Sequence, residues 1–257
     1  MDLLNRFINK LLIRRATLTQ IILPTLIFNE TFSNEQQVKL IEQYGADGIE
    51  IRRERLQDIA VELAVLKNSI NASGLNTVIY SAPIELWQDG YSLNPLVITA
   101  INEAKQLNAD YIKLSLGRFD ANLANTDDFQ KWLDHNSPAN IKVLIENDQT
   151  IYGGTLIPIL SFFQWKQDKS IGMTFDVGNW TVNKEDWLTA YNSLHQWIEY
   201  FHLKSVTRSM TGWESKAIST EHLNLTFPVY TAIEFPLDNP NVEGPQWVTK
   251  LRKEVTA

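Results

Sequence analysis

The 257-residue chain contains no cysteine. That excludes disulfide staples and thiolate metal sites, and it fits a reducing compartment, so the cytoplasm is the expected location. Histidine is scarce as well, four in all, which leaves little material for a centre built on many imidazoles. Positive charge is in deficit: 23 Lys and Arg stand against 30 Asp and Glu, a formal net charge of −7. Nucleic-acid binders present a basic surface, so nucleic acid is not an expected partner. No apolar run reaches the roughly 18–20 residues of a membrane span, and no membrane partner is expected. Linkers, low-complexity tracts and Gly-rich phosphate loops are missing too.

What is present is an ordinary globular composition, 44% hydrophobic and 21% charged, enough for one sizeable core. The first residues carry Leu3, Leu4, Phe7, Ile8, Leu11 and Leu12 at helical spacing. Asn5, Arg6, Asn9 and Lys10 interrupt them, so no signal-peptide core forms. Residues 1–20 are expected to make a short amphipathic helix on the base of the domain.

Beyond it, short apolar runs alternate with amphipathic stretches. Strands are predicted near Ile21–Phe28, Gly48–Arg52, Thr77–Tyr80, Tyr111–Ser115, Ile141–Glu146, Gly172–Asp176, Tyr200–Lys204 and Tyr230–Phe235. Their starts recur about every 30 residues, the length of a strand and its returning helix. Helical patterns fill the gaps, at Val38–Tyr44, Ile59–Ile70, Leu96–Leu107, Phe129–Leu133, Leu156–Trp165 and Trp187–Ile198, and Trp247–Val255 closes the chain. Ser33 with Gln36 reads as a capping box, and Asn183 as a second helix start. The stretch from Lys204 to Tyr230 is the weak unit and reads mostly as loop. Eight units without a Gly-rich loop predict a single (β/α)8 TIM barrel over 1–257, in preference to an open doubly wound sheet.

In such a barrel, function sits where strands end at the C-terminal face. Four of these ends interrupt apolar runs with a metal-capable side chain: Glu146, Asp176, His202 and Glu234, on the last four strands. Their neighbours in sequence are apolar. Because strand side chains alternate, the four polar groups would share the barrel axis. Buried charges need partners or a cation. Three carboxylates and an imidazole suit one divalent metal ion, Mn²⁺ or Mg²⁺ first, Co²⁺ or Zn²⁺ next. The competing arrangement is a metal-free salt-bridge network of these acids with Lys113, Lys204, Arg52 and Arg208.

These residues resemble the xylose-isomerase-like barrel superfamily, which includes ketose 3-epimerases, hydroxypyruvate isomerase, inosose-processing enzymes and endonuclease IV. The resemblance runs from about Ile21 to the C-terminus. It is carried by Gly45-Ala46-Asp47-Gly48-Ile49-Glu50-Ile51-Arg52, Leu144-Ile145-Glu146-Asn147, Phe175-Asp176-Val177-Gly178-Asn179, His202-Leu203-Lys204 and Ile233-Glu234-Phe235-Pro236. It implies one divalent metal on Glu146, Asp176, His202 and Glu234, an Arg208 that contacts substrate, and a homodimer as the assembly. Two departures stand out. Asn179 takes the place of a frequent His, and Tyr80-Ser81-Ala82-Pro83 stands where many members carry another. Asn179 can bond a sugar hydroxyl but cannot exchange protons near neutral pH.

The expected activity is sugar isomerisation or epimerisation on a ketose or keto-sugar acid through an enediolate, with Glu146 and Glu234 as acid and base. Strands five and eight lie roughly 135° apart around an eight-stranded barrel, so two carboxylates can approach from different sides. Lys113 and Lys204 would orient hydroxyls or hold an anionic intermediate. Glu50 and Arg52 would pair at the rim or read an anionic group. Trp87, Trp180 and Trp213 are candidates for stacking on a sugar ring. Alternatives are a keto-sugar or inosose dehydratase, a non-catalytic carbohydrate-binding barrel, a Schiff-base role for Lys204, and a phosphodiesterase of the endonuclease IV kind.

Overall fold

Strands β1 (Gln20–Pro24), β2 (Gly48–Arg52), β3 (Thr77–Gly90), β4 (Tyr111–Phe119), β5 (Lys142–Glu146), β6 (Ile171–Asp176) and β7 (Ile198–Leu203) run parallel around a ring that β10 (Tyr230–Ile233) closes. These elements come from a computed structural model that describes residues 19–136, 140–166, 170–210, 212–219 and 225–255. β10 pairs in parallel with both β7 and β1, so no strand edge of the barrel is left open. The expected N-terminal helix lies outside the described residues except at its end, where β1 already begins at Gln20. No helix among the described residues is long and apolar enough to cross a membrane.

Helices α1 (Asn34–Gln43), α2 (Ile59–Asn71), α3 (Leu96–Leu107), α4 (Thr126–Asn136) and α5 (Leu156–Trp165) follow the first five strands. The short α6 (Val177–Val182) and α7 (Trp187–Leu194) follow β6, and α8 (Pro240–Glu254) follows the last strand. The capping box forms as expected: Ser33 accepts from the Gln36 backbone, and the Gln36 side chain accepts from Ser33 N. Asn183 does not start a helix. It ends α6, and Asp186 caps α7 by accepting from Thr189 N at 3.1 Å.

No helix follows β7 among the described residues. An antiparallel hairpin, β8 (Ser205–Arg208) and β9 (Trp213–Lys216), takes its place. The segment lacks apolar residues at helical spacing. Gly212, at φ 139°, accepts from Ser209 N at 2.7 Å and turns the chain.

Two strands outrun the barrel. β3 and β4 continue past Ser81 and Ser115 as a paired ribbon above the mouth. Gly117, at φ 72°, permits this, because a Cβ there would come within 2.2 Å of Trp87 O. The ribbon places Trp87 against Phe119, Phe129 and Trp165, with ring centroids 5.3, 5.4 and 5.8 Å away. Trp87 and Trp180 are therefore buried among aromatic rings and are not free to stack on a sugar; Trp213, on β9, remains partly exposed.

Candidate active site

The strand period of two builds the site in layers. Ile22, Ile79, Leu144, Tyr200 and Ala232 form an apolar cluster inside the barrel, with Tyr111 against it. One pleat further along the same strands stand Lys113, Glu146, His202 and Glu234, each two residues beyond Tyr111, Leu144, Tyr200 and Ala232. Glu50 and Asp176 are reached in the same way from Gly48 and Thr174. The apolar layer floors the charged one and keeps it at the C-terminal mouth, where barrel sites are built.

One ligand atom from each of Glu146, Asp176, His202 and Glu234 lies within 4.8 Å of the others. The axial placement expected from the sequence is thus observed. Three cations are interleaved with these groups. Lys113 Nζ is 2.9 Å from Glu146 Oε1 and 3.1 Å from Glu50 Oε1. Lys204 Nζ is 2.7 Å from Asp176 Oδ2 and 2.6 Å from Glu234 Oε2. Arg52 pairs with Glu234 and, at 3.5 Å, with Glu50. The expected salt-bridge partners are therefore present except Arg208, which is exposed on β8 and makes no ion pair with the cluster.

His202 is gripped at both nitrogens. Its Nε2 lies 2.8 Å from Glu50 Oε2, which also accepts from Tyr200 Oη at 2.7 Å. Its Nδ1 lies 2.9 Å from Glu146 Oε1 and 3.1 Å from Glu234 Oε1. Two carboxylate oxygens repel a bare lone pair, so Nδ1 calls for a positive charge in front of it, a proton, a metal ion or the Lys113 ammonium 3.4 Å away. Burial opposes an imidazolium, but Glu234, Glu50 and Glu146 outweigh burial and the repulsion from Lys113, and the His202 pKa lies well above its ordinary value.

The acids divide by surroundings. Burial alone would raise Glu146 and Glu234; Lys113 and His202 bring Glu146 below the usual carboxylate range, and His202, Lys204 and Arg52 bring Glu234 well below it. Burial dominates at Asp176. Lys204 offsets it only in part, and the pKa is pushed up to about 8. Glu146 is the least enclosed acid, with a side chain 15% exposed against 4% for Glu234.

A ring of amides fixes Asp176. Asn147 Nδ2 donates to Asp176 O at 2.9 Å, and Asp176 N donates to Asn147 Oδ1 at 2.8 Å. Asp176 Oδ1 caps α6 by accepting from Asn179 N at 3.0 Å. Asn179 Nδ2 donates to Asn147 O at 2.8 Å, and Asn179 Oδ1 accepts from Gln149 Nε2 at 3.2 Å. Both ends of the Asn179 amide are thus used within the protein. Gly178 makes room for Lys204 to reach Asp176, because a Cβ there would meet Lys204 Cγ at 2.6 Å.

Glu50 is not at the rim. It is wholly buried, and its partners are His202, Tyr200, Lys113 and, as expected, Arg52 at 3.5 Å. Tyr80 points away from the axis and donates to Glu103 Oε2 at 2.8 Å, which Arg53 also holds. Ser81, also buried on β3, is in register with Lys113 on β4. Tyr200 and Asn147 carry supporting contacts that the sequence reading did not assign. Tyr200 was reachable from the two-residue step before His202; Asn147 had no local signal.

The donor set suits a divalent ion. Three carboxylates and an imidazole converge, the second imidazole nitrogen is fixed by a carboxylate as in many metal sites, and Asp176 Oδ2 is wholly buried with Lys204 Nζ facing it at 2.7 Å. His135 and His195 are exposed on helical segments and do not join the cluster.

No protein-family model matches the sequence, and no curated protein matches it. Solved structures do. A xylose isomerase domain containing protein from Salmonella typhimurium LT2 is 12% identical with a TM-score of 0.68, over 93% of this chain and 98% of that one. An AP endonuclease, family 2, from Brucella melitensis is 12% identical with a TM-score of 0.65, over 90% and 98%. A D-psicose 3-epimerase from Clostridium cellulolyticum H10, solved with D-tagatose, is 10% identical with a TM-score of 0.58, over 92% and 96%. The chain shares the TIM-barrel fold of these structures, enzymes among them.

Proposed function

We propose that this barrel is a sugar isomerase or epimerase that moves a proton next to a carbonyl on a ketose or keto-sugar acid. The observation that carries the reading is the convergence of Glu146, Asp176, His202 and Glu234 at the mouth, with Lys113, Lys204 and Arg52 around them. Glu146, the most accessible carboxylate, takes the proton from the substrate carbon. Glu234 faces the same space from the far strand and, carrying a proton taken up from solvent, protonates the opposite face, while Glu146 releases the proton it took to solvent. The depressed pKa of Glu146 keeps it ionised at neutral pH, as a base requires. Lys204 and Lys113 offset negative charge as it develops on substrate oxygen. The wholly buried Glu50 holds the His202 ring in one orientation.

Glu146, Asp176, His202 and Glu234 are the residues that would hold a divalent ion, Mn²⁺ or Mg²⁺ by their oxygen-rich set. When bound, such an ion supplies Lewis-acid polarisation of the substrate carbonyl.

The test is turnover on a panel of ketoses and keto-sugar acids with Mn²⁺ and Mg²⁺. Glu146→Gln and Glu234→Gln should each lower turnover by about 10²- to 10⁴-fold. Full activity in both variants on a substrate that the wild type converts would sink the two-carboxylate mechanism.

A further inference from the structure

Of the three cations around the site, Lys113 reaches the most of the residues that would bind the metal. Lys113 Nζ sits 2.9 Å from Glu146 Oε1, 3.4 Å from His202 Nδ1 and 3.8 Å from Glu234 Oε1. Those atoms belong to three of the four residues of the candidate ligand set. The fourth, Asp176, is held through Oδ2 by Lys204 at 2.7 Å. Metal–oxygen bonds are roughly 2.0–2.2 Å for small divalent ions. An ion bonded to Glu146, His202 and Glu234 would therefore occupy the space of the Lys113 ammonium, or stand against it with like charge.

We infer that Lys113 is a resident counter-ion that competes with the divalent metal for this site; the inference rests on the metal-assisted reading above. Without metal, its ammonium holds Glu146, Glu234 and Glu50 together. Metal entry requires it to withdraw. The fold provides a place to withdraw to. Glu50 Oε1, 3.1 Å from Nζ, belongs to no candidate ligand and lies on β2, on the far side of β3 from Lys113. Ser81, next to Lys113 in register, leaves the intervening strand with a small side chain. Lys204 has no such second partner, since its ion pairs among the described residues are with Asp176 and Glu234 alone. Lys113 is thus the mobile cation of the pair and Lys204 the fixed one.

Two consequences are measurable without turnover. The wild-type barrel should stay folded without metal, so chelation with EDTA should lower its melting temperature only by the small amount that loss of a weakly held ion entails. Removing the ammonium should tighten metal binding. Mn²⁺ affinity, read by electron paramagnetic resonance of free Mn²⁺, should rise roughly 5- to 150-fold in Lys113→Met, the range of an ordinary coupling between competing ligands. Lys113→Gln serves as the second variant if the first does not fold. Equal or weaker Mn²⁺ binding in the variants would overturn the inference while leaving the metal-assisted reading intact. A large loss of wild-type melting temperature on chelation would also overturn it, because the ammonium would then not be holding the acids. Absence of Mn²⁺ binding in wild type and variants alike would remove both the metal-assisted reading and the competition built on it.

Discussion

The two layers inside this barrel are made by the same strands and differ in almost everything else. The lower layer, Ile22, Ile79, Leu144, Tyr200, Tyr230 and Ala232, is apolar in its contacts, and the Tyr111 and Tyr230 hydroxyls bond each other at 2.9 Å. The upper layer crowds four carboxylates, three cations and an imidazole into a few ångströms. Area burial stabilises the first. In the second, removing one partner leaves another charge buried and unpaired, so each member depends on the rest. The lower layer is thus a floor that tolerates shape-conserving change. The upper layer tolerates no loss of charge without a compensating ligand.

Substitutions that separate the layers test this contrast. The largest effect on stability should come from the floor. Leu144→Ala removes a wholly buried side chain and should cost about 2–5 kcal/mol in denaturant titrations. It should nevertheless retain Mn²⁺ binding where the protein remains folded. Loss of Mn²⁺ binding in a folded Leu144→Ala protein would show that the layers are not separable.

Tyr200 joins the two layers, its ring in the floor and its hydroxyl on Glu50. Tyr200→Phe keeps the ring and removes one hydrogen bond to a buried carboxylate, at a cost of about 1–3 kcal/mol. Proton-coupled ¹⁵N spectra of His202 should also change, because Glu50 loses the group that shares its grip on Nε2. An unchanged His202 signal would leave Tyr200 as floor only.

Outside the barrel the effects should shrink. Glu62 accepts from Gln57 N, Asp58 N and Asn34 Nδ2 at the start of α2. Slight burial raises its pKa, but these donors outweigh it and hold the carboxyl below its ordinary value. Its contribution is therefore full above the unfolded carboxylate range and lost as pH falls through the lower folded value. Solvent screening limits it to at most about 1 kcal/mol. Glu62→Gln should be slightly less stable than wild type at neutral pH and equal to it near about pH 3. A difference that persists in acid would assign the effect to shape and not to charge.

Much of this was legible in the chain itself. The strand and helix alternation placed α3 and α5 at their observed residues, Leu96–Leu107 and Leu156–Trp165, because those stretches have a clear helical period between turn-forming residues. The weak unit after β7 was also visible, since nothing between Lys204 and Tyr230 repeats at helical spacing. Local signals failed where long-range contacts decide. The ribbon that carries β3 to Gly90 depends on pairing with β4, and the burial of Trp87 depends on that ribbon. Asn179 looked like a free amide in sequence, yet its partners, Asn147 and Gln149, come from the loop after β5.

The sequence by itself determined which side chains face the axis, because a period of two and apolar neighbours leave Glu146, Asp176, His202 and Glu234 no other side of their strands. Only the tertiary structure decided which charges meet. Glu50 reaches His202 across 152 residues of chain, and Arg52 reaches Glu234 across 182. Those pairs exist because the last strand closes the ring against the first, and ring closure is a property of the whole barrel that no local stretch of residues encodes.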